Sequence, residues 1–194
     1  MKSLRFYLIP LLCMIGLIIP LSLAQASPQR IAILPVQYVV ADDARNDVTA
    51  LIADPITKKF RHALNNFTHK YEYLTVDEIQ QELPSLRSYA KLQDDDLVAL
   101  ANRLDADLLL APIVSRCIDQ QYYSFMGEIM QETYVQIRLI GYERSQDHII
   151  RLVDNAQYMG EYTTHCTSPE LTREIMNNLI DELEDNVSAP LINK

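Results

Sequence analysis

The segment Asp94 to Ser115, DDDLVALANRLDADLLLAPIVS, constrains the fold more than any other part of the chain. Leu97, Leu100, Ala101 and Leu104 recur at helical spacing, which places them on one face and leaves Asn102 and Arg103 outside it. The three aspartates before them supply an N-cap and favour the positive end of the helix dipole. After the turn Asp105-Ala106-Asp107 the pattern becomes Leu108-Leu109-Leu110-Ala111-Pro112-Ile113-Val114, an unbroken apolar run of strand length. Such a strand needs cover on both faces, so the chain requires a layered core of helices on a sheet.

The rest of the chain supplies the other layers. Arg30 to Val39 reads as a β-branched strand interrupted by Pro35, which cannot donate to a ladder. Val48, Leu51, Ile52, Ile56, Phe60 and Leu64 hold helical spacing, and Asp54-Pro55 reads as a cap and first position. A short helix followed by a longer one from Pro55 to about Phe67 is therefore expected. Tyr71 to Val76 is a short strand, and Asp77 is expected to cap a helix that Pro84 closes.

Beyond Val114 the strand continues toward Tyr123, with Phe125-Met126-Gly127 as a hairpin tip. Thr133 to Leu139 alternates in polarity, and Ile149 to Tyr162 is a further long strand. Ser168-Pro169 starts a last helix that carries Leu171, Ile175, Leu179 and Leu183 on one face. The expected fold class is thus α+β. It has one mixed sheet with an N-terminal βαβ-like half, a C-terminal antiparallel meander, and helices packed on the sheet.

The first residues set the compartment. Lys2 and Arg5 precede an apolar run from Phe6 to Leu23, and Ala24-Gln25-Ala26 stands just before Ser27. This is the pattern of a secretory signal peptide cleaved after residue 26. An uncleaved anchor is the competing reading, against which Pro10, Gly16 and Pro20 weigh. Residues 27–185 then form a single domain, with a C-terminal tail from 186 to 194. The expected location is periplasmic or extracellular, with no membrane insertion after cleavage.

Removal of Lys2 and Arg5 makes the mature chain more acidic than the full-length net charge of -9. Nucleic acid and anionic membrane surfaces are poor partners for such a protein. Two cysteines outside the leader, Cys117 and Cys166, suggest one disulfide in an oxidising compartment, the alternative being two buried thiols.

Chemical motifs are sparse. Outside the leader only Gly127, Gly141 and Gly160 remain, too few for phosphate-cradling or dinucleotide loops, so no cofactor is expected. No nucleophile elbow, zinc helix or EF-hand loop is present. His62 and His69 read as exposed histidines and Asp94-Asp95-Asp96 as helix capping. His165 and Cys166, adjacent in what reads as extended chain, point to opposite faces and do not chelate together. Tyr122, Tyr123, Phe125 and Met126 stand apart: aromatic and thioether side chains at a hairpin tip either fold back over the sheet or form a contact surface.

The motif IAILPV at Ile31 to Val36 and LDADLLLA at Leu104 to Ala111, in the order strand, helix, strand, helix, helix, three strands, helix, resembles the small envelope α/β domain of the TolB N-terminal domain, the LpoB-type activators and the CsgG-type secretion proteins. Where that pattern carries glycine this chain has Asp105, a residue that tolerates the left-handed conformation. The resemblance implies a non-enzymatic module that works through protein contacts in the cell envelope, with a partner protein or by self-association. A secreted hydrolase with a dispersed site and a small-ligand carrier are the alternatives.

Overall fold

The computed structural model describes residues 28–60, 71–82 and 92–187. The expected leader, His62, His69, Pro84 and most of the tail lie outside them. One mixed sheet of six strands carries helices on both faces, the α+β architecture anticipated from the sequence.

Strand β1 (Gln29–Ile33) lies between β3 (Tyr71–Tyr73) and β4 (Leu108–Tyr123) and runs parallel to both. Strand β2 (Gln37–Tyr38) adds a second parallel contact to β4 farther along. The break at Pro35 separates β1 from β2: Leu34 N–H still reaches the Leu110 carbonyl at 2.8 Å, and pairing resumes where Val39 N–H meets the Val114 carbonyl at 2.9 Å. β4, β5 (Ile129–Glu143) and β6 (His148–Glu161) form the antiparallel meander, and β6 is one edge of the sheet.

Helices α1 (Asn46–Phe60) and α4 (Ser168–Asn186) cover one face. There Val48, Ile52, Ile56, Ile175 and Leu179 pack on Leu108, Leu110, Val135 and Ile137. Helices α2 (Val76–Glu82) and α3 (Asp94–Arg103) cover the other, where Ile79, Leu97, Leu100 and Ala101 pack on Leu109, Ala111, Ile113 and Ile140. Along this run the apolar side chains alternate between the two clusters, Leu108, Leu110 and Val114 in the first and Leu109, Ala111 and Ile113 in the second. This is the burial that the apolar run required.

Three local expectations are corrected. The region around Asp54-Pro55 is one helix with Pro55 inside it, because Val48, Ile52 and Ile56 are each fully buried and hold the helical phase across the proline. Helix α2 is capped by Thr75 rather than Asp77: Glu78 N–H donates to the Thr75 hydroxyl, and the Glu78 carboxylate accepts from Thr75 N–H at 2.7 Å. Helix α3 begins after Gln93, whose N–H donates to the Asp96 carboxylate at 3.1 Å. The aspartates thus occupy its first turn instead of its cap. Asp105 takes φ +50°. Its carboxylate receives hydrogen bonds from Arg30 and Arg144, which hold the Asp105 carboxyl below the usual range and fix the turn from α3 into β4.

Candidate protein-contact surface at the hairpin tip

The strands of the meander are far longer than the helices that cover them. On the α1/α4 face, cover continues outward through the loop between β6 and α4. Gln131, fully buried, donates to the Thr133 hydroxyl and the Cys166 carbonyl and accepts from Thr163 N–H. On the α2/α3 face cover ends sooner, and Arg116, Gln120 and Tyr122 of β4 are exposed. A register shift between Val114 and Arg116 marks the change from the clasped part of β4 to this outer arm.

The arm ends in a tight turn. Gly127 N–H donates to the Ser124 carbonyl at 2.9 Å, Ser124 N–H donates to the Glu128 carbonyl at 2.8 Å, and Gly127 takes φ +81°. The turn points Phe125 and Met126 into solvent, 107 % and 86 % exposed, and Tyr123 is 76 % exposed. Tyr122 is half-exposed. Tyr123, Phe125 and Met126 therefore do not fold back over the sheet.

Pairing brings further apolar residues to them. Ile129 lies opposite Tyr123, Tyr162 N–H donates to the Ile129 carbonyl, and Met159 lies across from Glu132 on β5. Ile129, Met159 and Tyr162 are all exposed. The sequence reading missed these three, because only the strand register sets Ile129 and Tyr162 beside the tip and Met159 farther down the arm, on the opposite face. Behind them an open depression of about 590 Å³ is lined by Arg116, Ile118, Glu132, Tyr134 and Met159. Glu132 is held by Gln120 at 2.6 Å.

Among the described residues no three His, Cys, Asp or Glu side chains gather to hold a metal ion. His165 and Cys166 lie in the turn before α4, not in a strand; His165 is exposed and Cys166 half-buried. Cys117 and Cys166 are free thiols in this structure, so the expected bond is not formed in it. They belong to one neighbourhood: Ser168, two residues after Cys166, hydrogen-bonds the Cys117 thiol and donates to Asp119 at 2.9 Å. Burial pushes the Cys117 thiol up, which keeps it protonated and a poor nucleophile. Asp119 also accepts from Ser168 N–H and from Arg45, and so locks the start of α4 to β4.

No family model matches the chain, and no curated protein matches it in sequence. Solved structures do show a likeness of outline. The PelC dodecamer from Paraburkholderia phytofirmans is 9 % identical, with 81 % of this chain and 89 % of that one covered and a TM-score of 0.42. Lipoprotein GNA1162 from Neisseria meningitidis is 10 % identical, covering 81 % and 99 %, with a TM-score of 0.42. A putative neuraminyllactose-binding hemagglutinin homolog from Helicobacter pylori is 9 % identical, covering 85 % of each chain, with a TM-score of 0.39. Among the described residues no helix is long and apolar enough to cross a membrane.

Proposed function

We propose that this chain is an exported, non-enzymatic protein of the bacterial envelope that acts by holding a protein partner at the tip of the β4–β5 hairpin. The observation that carries this reading is the full exposure of Phe125 and Met126 at the end of an ordered arm, with Tyr123 and Ile129 beside them. Burial of one such side chain is worth about 1.5–3 kcal/mol. The folded chain on its own leaves that unrealised, whereas a partner that covers the tip gains it. The leader pattern supports export, and the IAILPV and LDADLLLA motifs support the narrower likeness to TolB, LpoB and CsgG-type domains.

A photo-reactive phenylalanine analogue placed at position 125 tests the reading in intact cells. Val76 is exposed at the start of α2, away from the tip, and serves as the control position. Discrete adducts from position 125 that position 76 does not give are expected. Adducts that are absent, or the same from both positions, contradict the assignment.

A further inference from the structure

Strand β6 is a long edge with an unusual sequence. It pairs with β5 without a register shift over its whole length, and it contains neither proline nor lysine, the residues that commonly blunt an edge. Tyr162 N–H donates inward to Ile129, and in an antiparallel ladder this sets the direction of every backbone group. Even-numbered residues of β6 turn their N–H and C=O toward β5, and odd-numbered residues turn theirs outward. The odd-numbered side chains Arg151, Val153, Asn155, Gln157, Met159 and Glu161 are all exposed on the α2/α3 face.

Read from either end, that row matches itself. Folded about Ala156, it opposes Arg151 to Glu161, Val153 to Met159 and Asn155 to Gln157, which pairs cation with anion, apolar with apolar and amide with amide. Centring the row on Asp154, Asn155 or Gln157 instead breaks these matches. We infer that β6 pairs antiparallel with β6 of a second copy of this chain, Ala156 facing Ala156 across the two-fold axis, so that the two sheets become one. This inference is independent of the hairpin-tip reading, since the interface is the opposite edge of β6 from the one that meets the arm.

The other face of β6 agrees with the same register. Two outward backbone groups are held within the single chain: Asn155 N–H donates to the Asp154 carboxylate at 2.8 Å, and the Tyr158 hydroxyl donates to the Glu161 carbonyl at 2.8 Å. Pairing about Ala156 releases both and sets Asp154 opposite Tyr158 of the second copy, where the freed hydroxyl can donate to the freed carboxylate. Asn178 of α4, 2.9 Å from the Asp154 carboxylate, holds it at the edge. Arg151, which pairs with Asp94 in the single chain, has donors to spare for Glu161 of the second copy. Ala156, the residue at the axis, is small enough for close approach.

Sedimentation velocity of the full exported chain, over a range of concentrations, is the first measurement, and a reversible dimer is expected. Ala156→Cys should give a disulfide-linked dimer on oxidation, since residues opposite at such an axis stand about 4.5 Å apart. Val153→Cys should not, because its copies lie roughly 20 Å apart in this register. The unsubstituted chain controls for the native thiols. Gln157→Pro removes an outward N–H without costing a β5–β6 bond and should give a monomer with an intact circular dichroism spectrum. If the proline impairs folding, Val153→Lys decides, and a loss of dimer affinity of at least about tenfold is expected from a charge set opposite Met159. A wild-type chain that stays monomeric at all concentrations overturns the inference. So does a dimer that survives Val153→Lys, or one in which Ala156→Cys fails to cross-link.

Discussion

The base and the arm of the meander are made by the same three strands, yet they differ in what covers them. In the base, Leu108, Leu110 and Val114 face one helix layer and Leu109, Ala111 and Ile113 the other, each at most 1 % exposed. In the arm, β4 has exposed polar residues on one face and a buried Cys117 on the other, and at the tip neither face is covered. The difference teaches that strand pairing and burial are separate matters. Hydrogen bonds with β5 run in register to Tyr123 and Ile129, so backbone pairing holds the arm in shape where hydrophobic burial has ended.

The comparison sharpens into unequal mutational effects. Leu110→Ala, in the base, should cost about 2–5 kcal/mol, because a fully buried leucine leaves a cavity beneath α1 and α4 that the packed helices close only in part. Chemical denaturation measures it. A Cys117–Cys166 disulfide, formed where base gives way to arm, should add roughly 4 kcal/mol less any strain in the chain-entropy model. Alkylation and mass spectrometry of non-reduced exported protein should find both thiols blocked, and two freely alkylated thiols contradict the pairing. Gly141→Ala should cost about 1–3 kcal/mol, since a Cβ there would lie 2.3 Å from the Leu109 carbonyl oxygen.

Acid should weaken the fold through carboxylates that arginines hold. Arg45 holds the Asp47 carboxyl below the usual range, and Arg144 and Arg30 do the same for Asp105. A carboxyl whose folded value is lowered stabilises the fold above its unfolded value, near pH 4, and that contribution fades as pH falls through the lower folded value. Melting temperature should therefore fall below about pH 4. Asp105→Asn should flatten that decline.

The layered core was legible because it is written in periodicity: Leu97, Leu100, Ala101 and Leu104 for a helix, Leu108 to Val114 for a strand buried on both faces. Thr75 and Gln93 were not read as cap positions, since several neighbouring polar residues fit the same local rule and side-chain reach decides among them. Pro55 marked a boundary by propensity, but buried Ile52 and Ile56 on either side of it overrode that signal. For the candidate site, Tyr122, Tyr123, Phe125 and Met126 could be named because the turn lies beside them in sequence. Ile129 and Tyr162 could not, because β5 and the end of β6 bring them to the tip only through register.

The smallest expected effect on stability belongs to the tip, and there the central claim meets its test. The Tyr123→Ala, Phe125→Ala double variant should unfold within about 0.5 kcal/mol of the wild-type chain, as exposed positions do. It should also lose a partner that the wild-type chain retains from envelope extracts, at a cost of about 2 kcal/mol or more in affinity if the tip is a hot spot. Measured side by side, an unchanged melt with lost retention is the result this account predicts; a lost cooperative melt, or an unchanged set of retained proteins, contradicts it.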